Sequence, residues 1–532
     1  MEFLRHGVPD GAQIKLSGRD ENLEVEPTPR DLIYLDYNAT TPIDPAVAEE
    51  MIPVLRAEFG NPSSAHAMGR RANAVVERAR ARVAQLLNCS ADEVVFTSGG
   101  TESNNWAIKG AVSTHNARSA AAAAAVAAGG GGGAAAPHVV ISAVEHPAVT
   151  EVAEHLRVEA GCEVTVVPVD SDGIVCADHV VAAVRPNTAI VSIMLANNEV
   201  GSLQPIAQIA AALRNHRATR AAQDADAAQH AQDAADASPS AAAAPRGAEF
   251  PLLHTDASQA VGKTPVDFTA LGVDLLTVAA HKLYGPKGVG ALVVRRGVRL
   301  PRLMHGAGHE KGRRAGTEST VLLAGLGKAC ELAHAHLPTD TAHSEHMRSR
   351  LLHGLTRRLC LVGPQQERGE KEGGGKGGDV ALQGSNGAAS VNNDGDTVRF
   401  RVNGPCDPSK RLPNTLSLSF ESLHGPSLMA RLLPRVACSA GAACHSSPAP
   451  SSPCPASSAS TPPLKQAASP PFLKGSSVLE AMGVCGRYAR CTVRVSVGRW
   501  TTEQEVDEAA EIIADAVVQL KREQQQQQLS VH

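Results

Sequence analysis

Four short stretches of this chain carry residues that can do chemistry together. The sharpest is Ala280-His281-Lys282-Leu283-Tyr284-Gly285-Pro286, where a lysine follows an apolar run and precedes a Gly-Pro turn. A lysine held and partly desolvated there can lose its proton and form a Schiff base with a carbonyl compound. Upstream, His254-Thr255-Asp256-Ala257-Ser258-Gln259 also closes an apolar run. Asp256 is placed to face a protonated ring nitrogen, and Gln259 to reach a ring hydroxyl. Phe96-Thr97-Ser98-Gly99-Gly100-Thr101-Glu102 runs from apolar residues into a helical pattern. Free N–H groups at such a helix start make an anion site suited to a phosphate. Glu145-His146-Pro147 supplies an imidazole able to stack on a flat ring. Taken singly each feature is ordinary. Together they are what pyridoxal 5'-phosphate (PLP) chemistry requires.

These residues need a frame that brings them to one place. Val94-Val95-Phe96-Thr97, His138-Val139-Val140-Ile141, Ile190-Val191-Ser192-Ile193-Met194, Leu252-Leu253-His254, Leu275-Leu276-Thr277-Val278 and Gly290-Ala291-Leu292-Val293-Val294 are short, non-alternating apolar runs. Such runs suit strands covered on both faces. Helical patterns over 72–87 and 148–160 lie between them, so an α/β domain with a mainly parallel sheet is expected. Its ligands bind outside the carboxyl ends of the strands. A smaller α/β unit follows over about 413–520, with a strand at Thr415–Phe420 and a closing amphipathic helix over 502–520. Four stretches rich in Ala, Gly, Ser, Gln and Pro, near 117–136, 219–247, 365–396 and 446–475, read as surface-loop insertions.

Composition narrows the function classes. Of 532 residues 43% are apolar and 20% charged, an ordinary globular balance, and 3% aromatics leave the core to Val, Leu, Ile and Ala. A net charge of -4 with no Lys/Arg run argues against nucleic acid. The alanine and glycine of 119–136 are too weakly apolar for a membrane helix, and no membrane association is expected. Eleven cysteines, an odd count, with no signal peptide favour a reducing compartment. Asp10, Asp20, Glu21, Glu24 and Glu26 are unlike an acid-poor transit peptide, so a cytoplasmic protein is expected.

A second nucleophile lies near the C-terminus. Cys438, Cys444, His445 and Cys454 raise the question of zinc, but tight Cys pairs are absent and no metal is expected. Ser439, Gly441, Ala442 and Ala443 are small, which suits a loop that carries the Cys444 thiol to and from a site.

The chain resembles the selenocysteine lyase and cysteine desulfurase family of fold type I PLP enzymes, which are class-V aminotransferase-like. The resemblance rests on Tyr34-Leu35-Asp36-Tyr37-Asn38-Ala39-Thr40-Thr41-Pro42, Gly60-Asn61-Pro62-Ser63-Ser64, residues 97–104 and Asn197-Asn198-Glu199-Val200-Gly201. It continues through 254–259, 281–288, Arg314-Ala315-Gly316-Thr317-Glu318, Leu412-Pro413-Asn414-Thr415, Gly441-Ala442-Ala443-Cys444-His445-Ser446 and Arg494-Val495-Ser496-Val497-Gly498-Arg499. These blocks stand in family order and span most of the chain outside the four insertions.

The resemblance implies a PLP-dependent transferase fold. Residues 1–30 would form a tail, 31–48 a segment packing with the small domain, 49–304 the large cofactor-binding domain, 305–522 the small domain and 523–532 a second tail. Lys282 would hold the cofactor and shuttle the Cα proton. Asp256 would pair with the ring nitrogen, Asn198 and Gln259 would bond the ring hydroxyl, and His146 would stack. Gly100, Thr101 and His281 would hold the phosphate, with Thr317 reaching it from the second subunit of a homodimer. Arg494 would clamp the substrate carboxylate, helped by Asn38, and Cys444 would receive the chalcogen. The implied reaction is removal of selenium from L-selenocysteine to leave L-alanine. The alternative is cysteine desulfurase, which leaves an enzyme persulfide for an acceptor protein. The loop sequence around Cys444 favours the first, as does Ala279, which stands where many desulfurases carry serine. Pro147 supports neither. A non-catalytic scaffold is disfavoured because lysine, aspartate, arginine and cysteine are all present.

Overall fold

The computed structural model describes residues 32–126, 135–233, 251–362, 398–440 and 476–530. The chain enters through the short strand β1 (Ile33–Tyr34) and then builds its main sheet. That sheet holds β2 (Val94–Thr97), β3 (His138–Ser142), β4 (Glu163–Val167), β5 (Thr188–Ser192), β6 (Leu252–Asp256), β7 (Leu275–Ala279) and β8 (Gly290–Val294). Its seven strands lie in the order β2-β8-β7-β6-β5-β3-β4. All run parallel except β8, which is antiparallel to both β2 and β7. Every strand but β4 is buried along its whole length, which is why these segments read as continuous apolar runs. Because only β8 is reversed, the carboxyl ends of β2, β3, β5, β6 and β7 open on one edge. That edge is where the chemistry-bearing stretches begin.

Helices cover both faces. On one, Trp106, Ile108 and Ala111 of helix Gly100–Val126 and Val149 and Val152 of helix Pro147–Glu159 pack on Val95, Val139 and Ile190. On the other, helices Ala67–Leu87, Ile206–Asp233 and the start of Thr320–Thr356 enclose the largest core cluster.

Further along, β9 (Cys360–Leu361), β10 (Arg399–Asn403), β11 (Thr415–Phe420), β12 (Val436–Ala437) and β13 (Thr492–Ser496) complete the strands. A four-stranded sheet runs β13-β11-β10-β9, and β1 pairs in parallel with β12. Phe400, Phe420, Val493 and Val495 form a second core with helix Glu503–Ser530, joined by Ile33 and Leu35. Helix Thr320–Thr356 serves both cores: Leu323 to Ala333 pack in the first and Met347, Leu351 and Leu355 in the second, with Pro338 between them.

Three sequence expectations change. Residues 117–126 and 219–233, read as loop insertions, are helical extensions of Gly100–Val126 and Ile206–Asp233. Alanine-rich sequence has the highest helix propensity, so it prolongs a helix already nucleated on the core. Residues 523–530 of the expected tail likewise continue Glu503–Ser530, where glutamine is a good helix former and Arg431 pairs with Glu523 at 2.5 Å. The fifth strand ends at Ser192 rather than Met194, because Met194 N–H turns out of the ladder to the Glu145 carboxyl. Residues 1–30, 365–396 and 446–475 lie outside the described residues. No helix among those described is long and apolar enough to cross a membrane.

Candidate active site

The segment after β1 is where the predicted residues meet. Asn38 is 1% exposed, and its backbone oxygen accepts from Lys282 Nζ at 2.6 Å and Gln259 Nε2 at 2.9 Å. Lys282 Nζ also donates to the Ala39 carbonyl at 2.8 Å. The Asn38 side chain donates to Asn198 O at 3.2 Å and Thr415 Oγ1 at 2.8 Å. Its Oδ1 accepts from Asn414 Nδ2 at 3.0 Å and Lys263 Nζ at 3.2 Å. This amide, expected as a substrate contact, links Asn198 and Lys263 to Asn414 and Thr415. Next to Lys282, the His281 ring meets Thr40 Oγ1 at 3.2 Å. Burial, reinforced by the charges of Lys282, Lys287 and Lys263, pushes its pKa down to about 4, so the ring is neutral near pH 7.

Arg494, in the middle of β13, is 2% exposed. Nη2 donates to Asp36 Oδ1 at 2.7 Å and Nη1 to the Asn198 carbonyl at 3.0 Å. Burial raises the Asp36 pKa against the opposing pull of Arg494 and Lys282. Arg494 is also bonded through its backbone N–H to Ser439 O at 2.6 Å, and Ser439 N–H returns a bond at 3.1 Å. That pair marks where the chain departs toward 441–475. Cys444, the predicted chalcogen acceptor, lies outside the described residues.

The remaining residues stand at strand ends. Asp256 closes β6; its Oδ2 accepts from Asn104 Nδ2 at 2.6 Å and its Oδ1 from Ser258 N–H at 2.9 Å. Gly100 opens its helix directly after β2, and a Cβ there would lie 3.1 Å from Ser258 Oγ and 3.5 Å from the Ala279 methyl. Thr101 and His146 line one open cleft between two helices. His146 caps helix Pro147–Glu159, its Nδ1 accepting from Ala148 N–H at 3.1 Å, which puts the proton of the neutral ring on Nε2. Beside it, Glu145 Oε1 accepts from Ser142 Oγ at 2.5 Å and Met194 N–H at 2.9 Å. Burial, aided by the charge of Asp256, pushes Glu145 up to about 8, so it carries a proton at neutral pH.

Thr317 is exposed, after Gly316 at φ 99°, and no hydrogen bond among the described residues joins it to the Asn38 cluster. Its loop is anchored by Arg314, which meets both oxygens of Glu102 at 2.9 and 3.0 Å.

The donor set fits PLP. Ser258 Oγ and Asn104 Oδ1 are buried without a partner among the described residues. The first lies against the Gly100 cradle, where the free N–H groups of a helix start suit a phosphate; the second flanks Asp256, the carboxylate for a ring nitrogen. No group of three or more His, Cys, Asp or Glu among the described residues is arranged to hold a metal ion.

Sequence reading passed over four residues. Lys263 lies four residues beyond Gln259 in a run of turns, its Nζ 2.6 Å from Gln259 Oε1. Asn104 follows Thr101 at the i+3 spacing that shares a helix face, and holds Asp256. Asp36 is an acid set among apolar strand residues, a signal that it has a buried partner. Glu145 gave no signal apart from its neighbour His146.

Comparison with known proteins bears on the family and the fold. The chain matches the aminotransferase class-V family over residues 33–236 and 245–369. It is 31% identical over 488 residues to the cysteine desulfurase IscS of Clostridium botulinum (strain Hall), covering 92% of this chain and 94% of that protein. It is 35% identical over 492 residues to the cysteine desulfurase IscS of Neisseria gonorrhoeae, covering 92% and 93%. Among solved structures, a NifS-like protein superposes with a TM-score of 0.65 at 30% identity, over 91% of this chain and 98% of that one. DndA from Streptomyces lividans gives 0.55 at 29% identity, over 86% and 97%. The α/β fold is therefore that of the fold type I PLP enzymes, with a mostly parallel central sheet. With sequence, fold and donor set in agreement, the chain belongs to the class-V aminotransferase family as a PLP-dependent, cysteine desulfurase-like enzyme.

Proposed function

We propose that this protein is a cysteine desulfurase, which converts L-cysteine to L-alanine and leaves the sulfur as a persulfide on Cys444. The observation that carries the reading is the convergence of Lys282, Gln259 and Arg494, from three separate elements, on the segment Asp36–Asn38. The relatives' names support cysteine desulfurase over selenocysteine lyase, the reading that the sequence favoured. Selenocysteine remains a second substrate because Ala279 presents a methyl where many desulfurases carry serine.

Gly100, Thr101 and His281 would hold the phosphate of PLP, Asp256 its ring nitrogen, Asn198 and Gln259 its ring hydroxyl, and His146 its ring face. When bound, PLP supplies an aldehyde for condensation with amines and an electron-poor ring that stores the electrons released at Cα. Arg494 binds the substrate carboxylate through its guanidinium. Lys282 Nζ would hold the cofactor before substrate enters and would take the Cα proton of the bound substrate. The Cys444 thiolate attacks the substrate sulfur as the Cβ–S bond breaks, so one S–S bond forms and the carbon skeleton leaves, reprotonated, as L-alanine. Ser439, bonded on both sides to the Arg494 backbone, tethers the start of the segment that carries Cys444.

The proposal includes a large domain (49–304) and a small one (305–522) joined through helix Thr320–Thr356, a cytoplasmic setting and a sulfur-acceptor protein. It also includes a homodimer. Ile52 (43% exposed) and Leu55 (69%) share a helix face and Phe59 (80%) follows, an apolar surface that suits a second copy. Phe59→Glu should shift sedimentation toward a monomer.

The test is L-alanine release from L-cysteine and L-selenocysteine in parallel, with wild type, Lys282→Ala and Cys444→Ala. Loss of both activities in Lys282→Ala, and of cysteine turnover in Cys444→Ala, is expected. Turnover of selenocysteine alone would overturn the desulfurase reading.

A further inference from the structure

Lys263 has no task in the reaction just described, yet it sits at the centre of the site. Its Nζ meets Gln259 Oε1 at 2.6 Å and Asn38 Oδ1 at 3.2 Å. Among the described residues it meets these two amide oxygens and no carboxylate. A lysine with no carboxylate partner in a part-buried site is unfavourable and is retained where its donors are needed. Burial, and then the charges of Lys282 and Arg494, push its amine well below the usual lysine range. Even as a neutral amine it keeps two N–H donors for two oxygens.

Those donors close a ring of contacts. Lys263 holds Gln259 Oε1, Gln259 Nε2 donates to Asn38 O, and Asn38 O also receives Lys282 Nζ. The ends of a glutamine amide are nearly identical in shape, so its partners alone decide which way it faces. With Oε1 drawn to Lys263 and one Nε2 proton on Asn38 O, the second Nε2 proton is what Gln259 offers to an acceptor. Flipped, Gln259 would offer a lone pair, and an acceptor would face an acceptor.

We propose that Lys263 is a positioning residue of the cofactor pocket, which fixes the Gln259 amide and the Asn38 side chain so that Gln259 donates to the ring oxygen of PLP. The proposal rests on the reading of Gln259 as the ring-hydroxyl contact.

The test is equilibrium titration of the full-length apoprotein with PLP, followed by visible absorbance and tryptophan fluorescence, with thermal unfolding of each variant alongside. Lys263→Met, which keeps the stem and removes the donors, should raise the PLP dissociation constant about ten-fold, the effect of one hydrogen bond to a charged group. Gln259→Leu should do the same. The double variant should be within about two-fold of the weaker single, because one residue acts through the other. Lys263→Gln, which retains an N–H donor, should fall between wild type and Lys263→Met, and replaces it in the comparison if Lys263→Met does not fold. Wild-type affinity in the Lys263 variants while Gln259→Leu binds weakly overturns this proposal alone, and so do fully additive losses in the double variant. Wild-type affinity in Gln259→Leu overturns the reading of Gln259 and this proposal with it.

Discussion

Arg494 Nη2 donates to Asp36 Oδ1 at 2.7 Å, with the two side chains 2% and 17% exposed. This pair ties the middle of β13 to the segment that carries Asn38, so the guanidinium expected to bind substrate is held by the chain entering the fold. Removing one member of a buried pair leaves the other charge without compensation, an effect of about 3–5 kcal/mol, whereas replacing both is far milder. Asp36→Asn should therefore lower the stability of the protein by about 3 kcal/mol in urea unfolding. Asp36→Asn with Arg494→Met should recover most of that loss. Additive losses in the double variant would show that the two side chains are not coupled.

Glu145 sets a pH dependence of stability. Its ordinary value of 4.5 rises to about 8 in the folded protein. Between those values the folded state binds more protons than the unfolded state, so stability falls as pH rises. The contribution is fully present below pH 4.5 and lost as pH passes 8. His138, His254 and His281 act in the opposite sense, all depressed from 6.5 to about 4, but their contributions change only below pH 6.5. Lys263, its amine pushed well below the usual lysine range, also acts in the opposite sense above pH 6.5, so the Glu145 contribution is read from the difference between wild type and Glu145→Gln. Glu145→Gln keeps an acceptor for Ser142 and Met194 N–H, should remove the Glu145 fall from the stability curve between pH 6.5 and 9, and should exceed wild type at pH 9 by roughly 1–3 kcal/mol. Parallel curves for the two proteins in chemical denaturation at stepped pH would rule this out.

Residues whose place follows from local pattern were legible in the sequence. Asp256, Lys282 and Gly100 each follow a fully buried apolar run, and a parallel sheet delivers such ends to one edge. Residues whose meaning depends on distant partners were not legible. Asn38 and Thr415 are 377 positions apart yet share a hydrogen bond, and no periodicity encodes that. Strand β4 escaped notice because at the sheet edge it is half exposed and lacks an apolar run. Composition misled at 117–126, where residues with little apolar surface are still good helix formers.

The loop that carries Thr317 depends on a buried ion pair. Arg80 meets both oxygens of Glu310 at 2.8 Å, and Phe96 N–H adds a third contact at 2.9 Å. Glu310 and Lys311 have φ of 49° and 56°, a left-handed turn that non-glycine residues adopt only when contacts hold it. Arg80→Met would strand the Glu310 carboxylate and release that turn. A stability loss of about 3–5 kcal/mol is expected, together with new proteolytic cleavage within 305–319. Unchanged cleavage in that loop would show that the pair does not hold it.

Gly290 sets how closely β8 approaches the Gly99–Gly100 turn. A Cβ there would lie 2.5 Å from Val278 O and 2.8 Å from Gly99 Cα. Both are backbone atoms, so no side chain can move aside, and Gly290→Ala must push Gly99 away from β8. Gly99 directly precedes the helix start at Gly100, so the displacement falls on the N–H groups expected to hold the phosphate. Gly290→Ala should lose about 1–3 kcal/mol of stability and bind PLP at least about ten-fold more weakly. Gly161→Ala is the control. Gly161 has a φ of 62° with nothing within 4 Å of a Cβ, so alanine there meets only backbone strain of about 1 kcal/mol. It should lower the melting temperature and leave PLP affinity unchanged. Equal PLP affinity in the two variants, measured by titration of the apoproteins, would show that the Gly99–Gly100 turn does not hold the cofactor phosphate.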